Sequence, residues 1–95
     1  MAVHGEDNAL STSAEVIWTA TQAASIDHPN LVFVENHDGS IVVTVGGSDV
    51  TNGVAGLKLA AGGRVGPITL TQPQEKLYAI AASGTPTVSI FVTGL

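Results

Sequence analysis

The chain of 95 residues contains no cysteine, and this absence excludes disulfide bridges and thiolate metal sites. Small secreted domains commonly depend on disulfides, so we expect this chain to be made in a reducing cytoplasm. Residues 1–13 contain no lysine or arginine and no apolar run, and we therefore do not expect them to act as a signal peptide.

Basic side chains are also scarce. Lys58, Arg64 and Lys76 stand against eight acidic residues, which gives a formal net charge of −5. Nucleic-acid binding needs several lysines or arginines to neutralise phosphates, and anionic membranes attract the same side chains. No segment approaches the roughly 18 consecutive apolar residues of a membrane-spanning helix. We therefore expect neither nucleic acid nor membrane as a partner.

Charged residues make up only 12% of the chain, whereas apolar residues make up 44%. Soluble domains typically carry about 25% charged residues. A surface with so few charges is suited to contact with a partner protein. A small β domain can also cover its surface with threonine, serine and alanine, so composition alone leaves both explanations open.

Valine, isoleucine and threonine dominate the periodic segments, and glycine or proline recurs at intervals of roughly 8–12 residues, as is typical of all-β folds. We predict an antiparallel β-sandwich, with a small β-barrel as the alternative. Residues 14–95 are predicted to form a single β domain, and residues 1–13 a flexible N-terminal arm, because they are polar and lack an apolar period. The domain has about seven predicted strands, at residues 15–21, 31–35, 41–45, 57–59, 65–71, 76–82 and 87–93.

One predicted hairpin joins residues 31–35 to residues 41–45. Asp38 and Gly39 lie between these two β-branched runs. An Asp-Gly pair in this setting is typical of a type I′ turn, in which both central residues have positive φ.

Two further local predictions concern single side chains. Alternation in the first predicted strand places Val16 and Trp18 on one face, with Trp18 in the core, and Ile17 on the opposite face. Pro67 predicts an edge strand or a bulge, because proline cannot donate a hydrogen bond to a sheet ladder.

The sequence lacks the motifs G-x-S-x-G, G-x-G-x-x-G, H-E-x-x-H and the P-loop. His4, His28 and His37 lie in the predicted arm or in loops, without a second histidine at ligand spacing. Asp49 and Asn52, in the long loop 46–56, lack the dense acidic pattern of a calcium loop. We therefore predict no catalytic residue, no cofactor and no metal site, and a protein that is not an enzyme.

Four segments carry a resemblance to a known class of proteins. They are residues 31–36, residues 41–51 with Gly-Gly-Ser-Asp-Val-Thr at their end, residues 56–63 with Leu-Lys-Leu-Ala-Ala-Gly-Gly, and residues 77–85 with Leu-Tyr-Ala-Ile-Ala-Ala-Ser-Gly-Thr. Together they resemble small virion proteins encoded in the structural gene clusters of tailed bacteriophages, of the capsid decoration (cement) or head-fibre type.

This resemblance implies a non-enzymatic accessory protein that binds the major capsid protein and stabilises the shell. It also implies a homo-oligomer, with a trimer favoured, on the capsid surface of the virion after synthesis in the host cytoplasm. A head–tail or tail-surface component of the virion is one alternative. A β module that binds host glycans is the other.

Two groups of residues are candidate contacts. A polar arm can become ordered on binding, so the arm is the candidate capsid contact. Recognition residues often lie on loops, so the long loop is the second candidate. The arm residues are His4, Glu6, Asp7, Asn8 and Leu10, and the loop residues are Asp49, Thr51 and Asn52.

Overall fold

The computed structural model describes residues 3–20, 29–50, 56–72 and 74–94, and within these residues it contains eight β-strands. None of the described residues belongs to a helix with the length and hydropathy needed to cross a bilayer. The strands are β1 (Val3–Ala9), β2 (Glu15–Thr19), β3 (Asn30–Asn36), β4 (Val43–Gly46), β5 (Leu57–Leu59), β6 (Arg64–Leu70), β7 (Lys76–Ala81) and β8 (Thr87–Gly94).

The strands form two antiparallel sheets of four strands each. The first sheet has the order β1-β8-β3-β6, and the second has the order β2-β7-β4-β5. The predicted antiparallel β-sandwich is therefore confirmed. The alternative β-barrel is not found, since the described strands form two separate sheets instead of one closed sheet.

The core lies between the two sheets. Alternate residues of β3 and β8 point inward, as period-2 strands require, and Trp18 is fully buried as predicted. The indole Nε1 of Trp18 donates a hydrogen bond to Oδ1 of the buried Asn30 at 2.9 Å, which satisfies a polar group that would otherwise be costly to bury. The largest fully buried apolar side chains besides Trp18 are Leu10, Ile17, Val32, Val34, Val43, Val45, Val88, Ile90 and Val92.

The N-terminal segment is not the unpaired arm that we predicted. β1 runs antiparallel to β8, with Val3 opposite Thr93 and Ala9 opposite Thr87, and it accounts for the eighth strand. Its pairing uses backbone N–H and C=O groups, which a polar sequence supplies as well as an apolar one. The apolar period of the sequence therefore gave no sign of this strand.

The predicted hairpin is wrong, because β3 and β4 belong to different sheets. β3 pairs with β6 and β8, whereas β4 pairs with β5 and β7. Asp38 does not have the positive φ of a type I′ turn. Its carboxylate instead accepts hydrogen bonds from the backbone N–H groups of Ser40 at 2.8 Å and Ile41 at 2.7 Å. Local capping by this side chain turns the chain from one sheet towards the other.

Asn36 ties this crossing to the second sheet. Its side chain is fully buried, and Nδ2 lies within hydrogen-bond distance of the carbonyl oxygens of Ile41 (2.8 Å), Leu59 (3.2 Å) and Ala60 (3.2 Å). Its Oδ1 accepts a hydrogen bond from the backbone N–H of Asp38 at 3.0 Å. One amide therefore joins the end of β3 to the turn after it and to the chain around β5.

An irregularity in β2 corrects the predicted alternation of its side chains. The register of β2 against β7 shifts between Val16 and Trp18. As a result Ile17 and Trp18 are both buried while Val16 is exposed, whereas strict alternation placed Val16 with Trp18. A bulge adds one residue to a strand, and this residue changes the face of every side chain that follows.

The prediction from Pro67 is confirmed on both counts. β6 is an edge strand of the first sheet, and its register against β3 shifts between Val32 and Val34. The peptide bond between Gly66 and Pro67, which lies in this irregular stretch, is cis.

Candidate interaction face

Outward-pointing residues of the first sheet form two rows across its strands. In the polar row, Asp7 lies opposite Ser89, Ser89 opposite Glu35, and Glu35 opposite Arg64. In the neighbouring row, Gly5 lies opposite Phe91 and Phe91 opposite Phe33. We call this surface the aromatic face, and it comprises Gly5, Asp7, Phe33, Glu35, Arg64, Gly66, Ser89 and Phe91.

The two phenylalanines of the chain meet on this face. Phe33 is 37% exposed and Phe91 is 48% exposed, and their ring centroids lie 6.0 Å apart in an edge-to-face arrangement. They line an open groove of about 760 Å³, which the glycines at positions 5 and 66 help to line. Large aromatic rings left exposed side by side are typical of a surface that contacts a partner.

The shape of the groove depends on Gly66. Its φ is +145°, a conformation that L residues rarely adopt. A Cβ atom at this position would lie 2.7 Å from Cδ2 of Phe33 and 2.9 Å from the carbonyl oxygen of Val32. The ring of Phe33 therefore occupies the space beside Gly66 that a side chain would fill.

Hydrogen bonds connect the polar side chains of this face. Arg64 Nε donates to Glu35 Oε2 at 2.6 Å, and His37 Nε2 lies 2.8 Å from Glu35 Oε1. The other ring nitrogen of His37 lies 3.2 Å from Ser89 Oγ, and the Ser89 hydroxyl donates to Asp7 Oδ1. The hydrogen bonds from Arg64 and His37 lower the pKa of Glu35 below its ordinary value. The carboxylate of Glu35 is therefore held in its charged form.

The order Ser89, His37, Glu35 is similar to the connectivity of a hydrolytic triad. However, the Ser89 hydroxyl has a single hydrogen, and it donates this hydrogen in a hydrogen bond to Asp7 and not to His37. Ser89 also lies within a regular strand on an open face, whereas the nucleophilic serine of α/β-hydrolases sits on a sharp turn beside oxyanion-binding N–H groups. The arrangement therefore differs from that of a hydrolytic triad in both respects.

Sequence reasoning missed this face as a site. Alternation along β8 puts Phe91 on the face opposite to the buried Val88, Ile90 and Val92, and this outward position was the available signal. Its proximity to Phe33 depends on the pairing of β3 with β8, which the predicted hairpin excluded.

The predicted arm contacts do not form one patch. The backbone of His4 lies in β1, and Asp7 belongs to the aromatic face. Asn8 Nδ2 donates a hydrogen bond to Glu6 Oε2 at 2.9 Å. Leu10 is only 2% exposed and packs in the core, so its side chain is not available to a capsid. Its hydrophobicity marks a core position that follows directly after β1.

The predicted loop contacts are only partly described. Asp49 is exposed, whereas Thr51 and Asn52 lie outside the described residues. Val50 is buried, and its N–H donates to the carbonyl oxygen of Gly47 at 3.0 Å. The loop is therefore anchored at its start by an apolar side chain.

Two other carboxylates stabilise turns away from this face. Backbone N–H groups of Ser40 and Ile41 lower the pKa of Asp38. Glu75 accepts hydrogen bonds from the backbone N–H groups of Gln72 and Thr71 and from the Thr71 hydroxyl, and these lower its pKa. Among the described residues, no three histidine or acidic side chains come together as a metal site would need.

Comparison with known proteins gives a similarity of fold. No protein-family model and no curated protein sequence matches this chain. Among solved structures, the chain is similar to one from Bacillus endospore appendages, which are described as a novel family of disulfide-linked pili. The TM-score is 0.58 at 13% sequence identity, and the match covers 99% of this chain and 86% of the other. The two chains therefore share a β-sandwich fold.

Proposed function

We propose that this protein is a non-enzymatic structural subunit, and that it decorates the surface of a tailed-phage capsid. The observation that carries the proposal is the aromatic face, where the exposed Phe33 and Phe91 lie beside an ordered row of polar side chains. An apolar centre with a polar rim is the usual composition of a protein–protein interface.

Two further observations support an assembly role. The chain has few charges, so a large part of its surface can be buried against a partner at little desolvation cost. The four segments that resemble virion proteins include strands β4 and β5 and most of β3 and β7, and the resemblance implies the major capsid protein as the partner. Within this proposal the candidate capsid contact is the edge strand β1, and the aromatic face is left for a neighbouring subunit.

A pilus-type filament is a second candidate, favoured by the fold shared with the Bacillus appendage chain. Those pili are described as disulfide-linked. This chain has no cysteine, so a filament built from it would depend on non-covalent contacts alone. Contacts between different patches of successive subunits would generate such a filament if the rotation between them does not close.

The decisive experiment mixes the purified protein with expanded, undecorated tailed-phage heads and images them by cryo-electron microscopy. Stoichiometric density at the threefold positions of the shell is the expected result. The Phe91→Ser variant tests whether decoration depends on the aromatic face. The control is Leu57→Ser, which removes an exposed apolar side chain from the second sheet. Wild-type protein that leaves the heads bare contradicts decoration. Filaments of the protein alone in negative stain favour the second candidate.

A further inference from the structure

We propose that two copies of this chain pair through their aromatic faces, around a two-fold axis that runs parallel to the strands. This inference deepens the proposed function, because it names one contact by which structural subunits associate. It commits to a second copy of this chain as the occupant of the groove.

The order of charges on the face is complementary to itself. Across the polar row, Asp7 lies on the edge strand β1 and Arg64 on the opposite edge strand β6, with Ser89 and Glu35 between them. A two-fold axis parallel to the strands reverses the order of the strands across the sheet. It leaves the position of each row along the strands unchanged. It therefore places Asp7 of one copy over Arg64 of the second, and the same contact occurs twice.

The aromatic row is matched by the same operation. Phe91 lies on β8 and Phe33 on β3, the two central strands of the first sheet. The axis places Phe91 of one copy over Phe33 of the second copy, so that four exposed rings meet at the centre of the contact. Gly5 leaves the flank of Phe91 open, whereas the ring of Phe33 fills the space beside Gly66.

The size of the sheet limits the area that the pairing can bury. Four strands spaced about 4.8 Å apart, with about seven residues each at roughly 3.3 Å, cover about 450 Å² per copy. The pair therefore buries roughly 900 Å², whereas specific stable interfaces bury roughly 1,200–2,000 Å². We expect a concentration-dependent dimer with a Kd of about 10 µM to 1 mM, which repeated contacts within an assembly would reinforce.

Sedimentation equilibrium between about 10 µM and 2 mM measures this dimer directly. Phe91→Ser is expected to weaken the dimer by about tenfold or more, because it removes an aromatic side chain from the centre of the contact. The matched control is Leu57→Ser, which removes a side chain that is 53% exposed on the second sheet. A similar loss in both variants would mean non-specific association and would overturn the proposal.

A charge exchange tests the two-fold geometry itself. Asp7→Lys brings like charges together at each end of the row, as does Arg64→Glu, so each variant is expected to weaken the dimer. The double variant restores opposite charges, and we expect its Kd to return to within about threefold of the wild type. A double variant that dimerises no better than the single variants contradicts the geometry.

The dimer proposal and the capsid-decoration proposal are contradicted by different results. A wild-type protein that stays monomeric to about 2 mM overturns the pairing, whatever the phage heads show. An oligomer that keeps its size in the Phe91→Ser variant also overturns it, since that oligomer uses a different surface. Bare heads with an intact dimer contradict capsid decoration and leave the pairing in place.

Discussion

Replacement of Asn36 by alanine removes the amide that connects the end of β3 to the chain around β5. Nδ2 has two hydrogens for three nearby carbonyl oxygens, and Oδ1 accepts from the backbone N–H of Asp38. The variant therefore loses about three effective hydrogen bonds at a fully buried position. Water reaches the partners of a fully buried group poorly, so hydrogen bonds to solvent do not readily replace those that are lost.

The expected loss follows from typical hydrogen-bond energies. Three hydrogen bonds at about 1 kcal/mol each, at a site that cannot be rehydrated freely, give a loss of about 3 kcal/mol in the free energy of unfolding. A chain of this length has a total stability of about 5–14 kcal/mol, so the loss is a large fraction of it. The melting temperature is expected to fall by about 12–24 °C.

Urea denaturation measures this loss through the fluorescence of Trp18, the only tryptophan of the chain and a fully buried one. The midpoint is expected to fall while the slope of free energy against urea stays unchanged. The control Asn8→Ala removes a partly buried hydrogen bond to Glu6 and is expected to cost less than about 1 kcal/mol. If Asn36→Ala costs no more than this control, the reasoning about the crossing is refuted.

Two further predictions concern backbone fit and pH. Gly66→Ala is expected to destabilise the protein by about 2 kcal/mol or more, because Gly66 has a positive φ and its added Cβ would meet the ring of Phe33. In the control Gly39→Ala the added Cβ meets nothing within 4 Å, and the stability is expected to change by less than about 0.5 kcal/mol. Equal melting temperatures of the two variants would contradict this prediction. The folded protein lowers the pKa of Glu35, Asp38 and Glu75, so their contribution is present above the unfolded values of about 4 and is lost as the pH falls below them. The melting temperature is expected to fall as the pH is lowered from about 7 to about 3, and to fall less when all three residues are replaced by their amides. A wild-type melting temperature that stays constant or rises over this range would contradict the stabilising role of the three carboxylates.

Side-chain periodicity predicted the features of this fold that depend on burial. Inward residues of β8 alternate strictly, and Trp18 is in the core, because burial of large apolar groups dominates folding. Pro67 was placed at an irregular edge because its ring removes a hydrogen-bond donor whatever the tertiary context. These constraints act on single residues or on one strand, and a sequence displays them directly.

Features that depend on hydrogen bonds between distant segments were not predicted. The Asp-Gly pair predicts a hairpin. In the structure, capping by the Asp38 side chain and the hydrogen bonds of the buried Asn36 amide instead direct the chain to the other sheet. β1 joins its sheet through backbone groups that every residue carries. The aromatic face also depends on a non-local pairing, because Phe33 lies beside Phe91 only when β3 pairs with β8. A single sequence does not display these pairings.

The pairing of β1 with β8 has a consequence for synthesis of the protein. β8 lies between β1 and β3 in the first sheet, so that sheet lacks a central strand until residues 87–94 have left the ribosome. Among the described strands β1 is made first, and its backbone stays solvated until its partner residues, 78–90 positions later in the chain, have been made. Such non-local pairing slows folding, towards milliseconds to seconds for all-β domains. Chains interrupted before β8 are therefore left with an open sheet whose unpaired strands can aggregate.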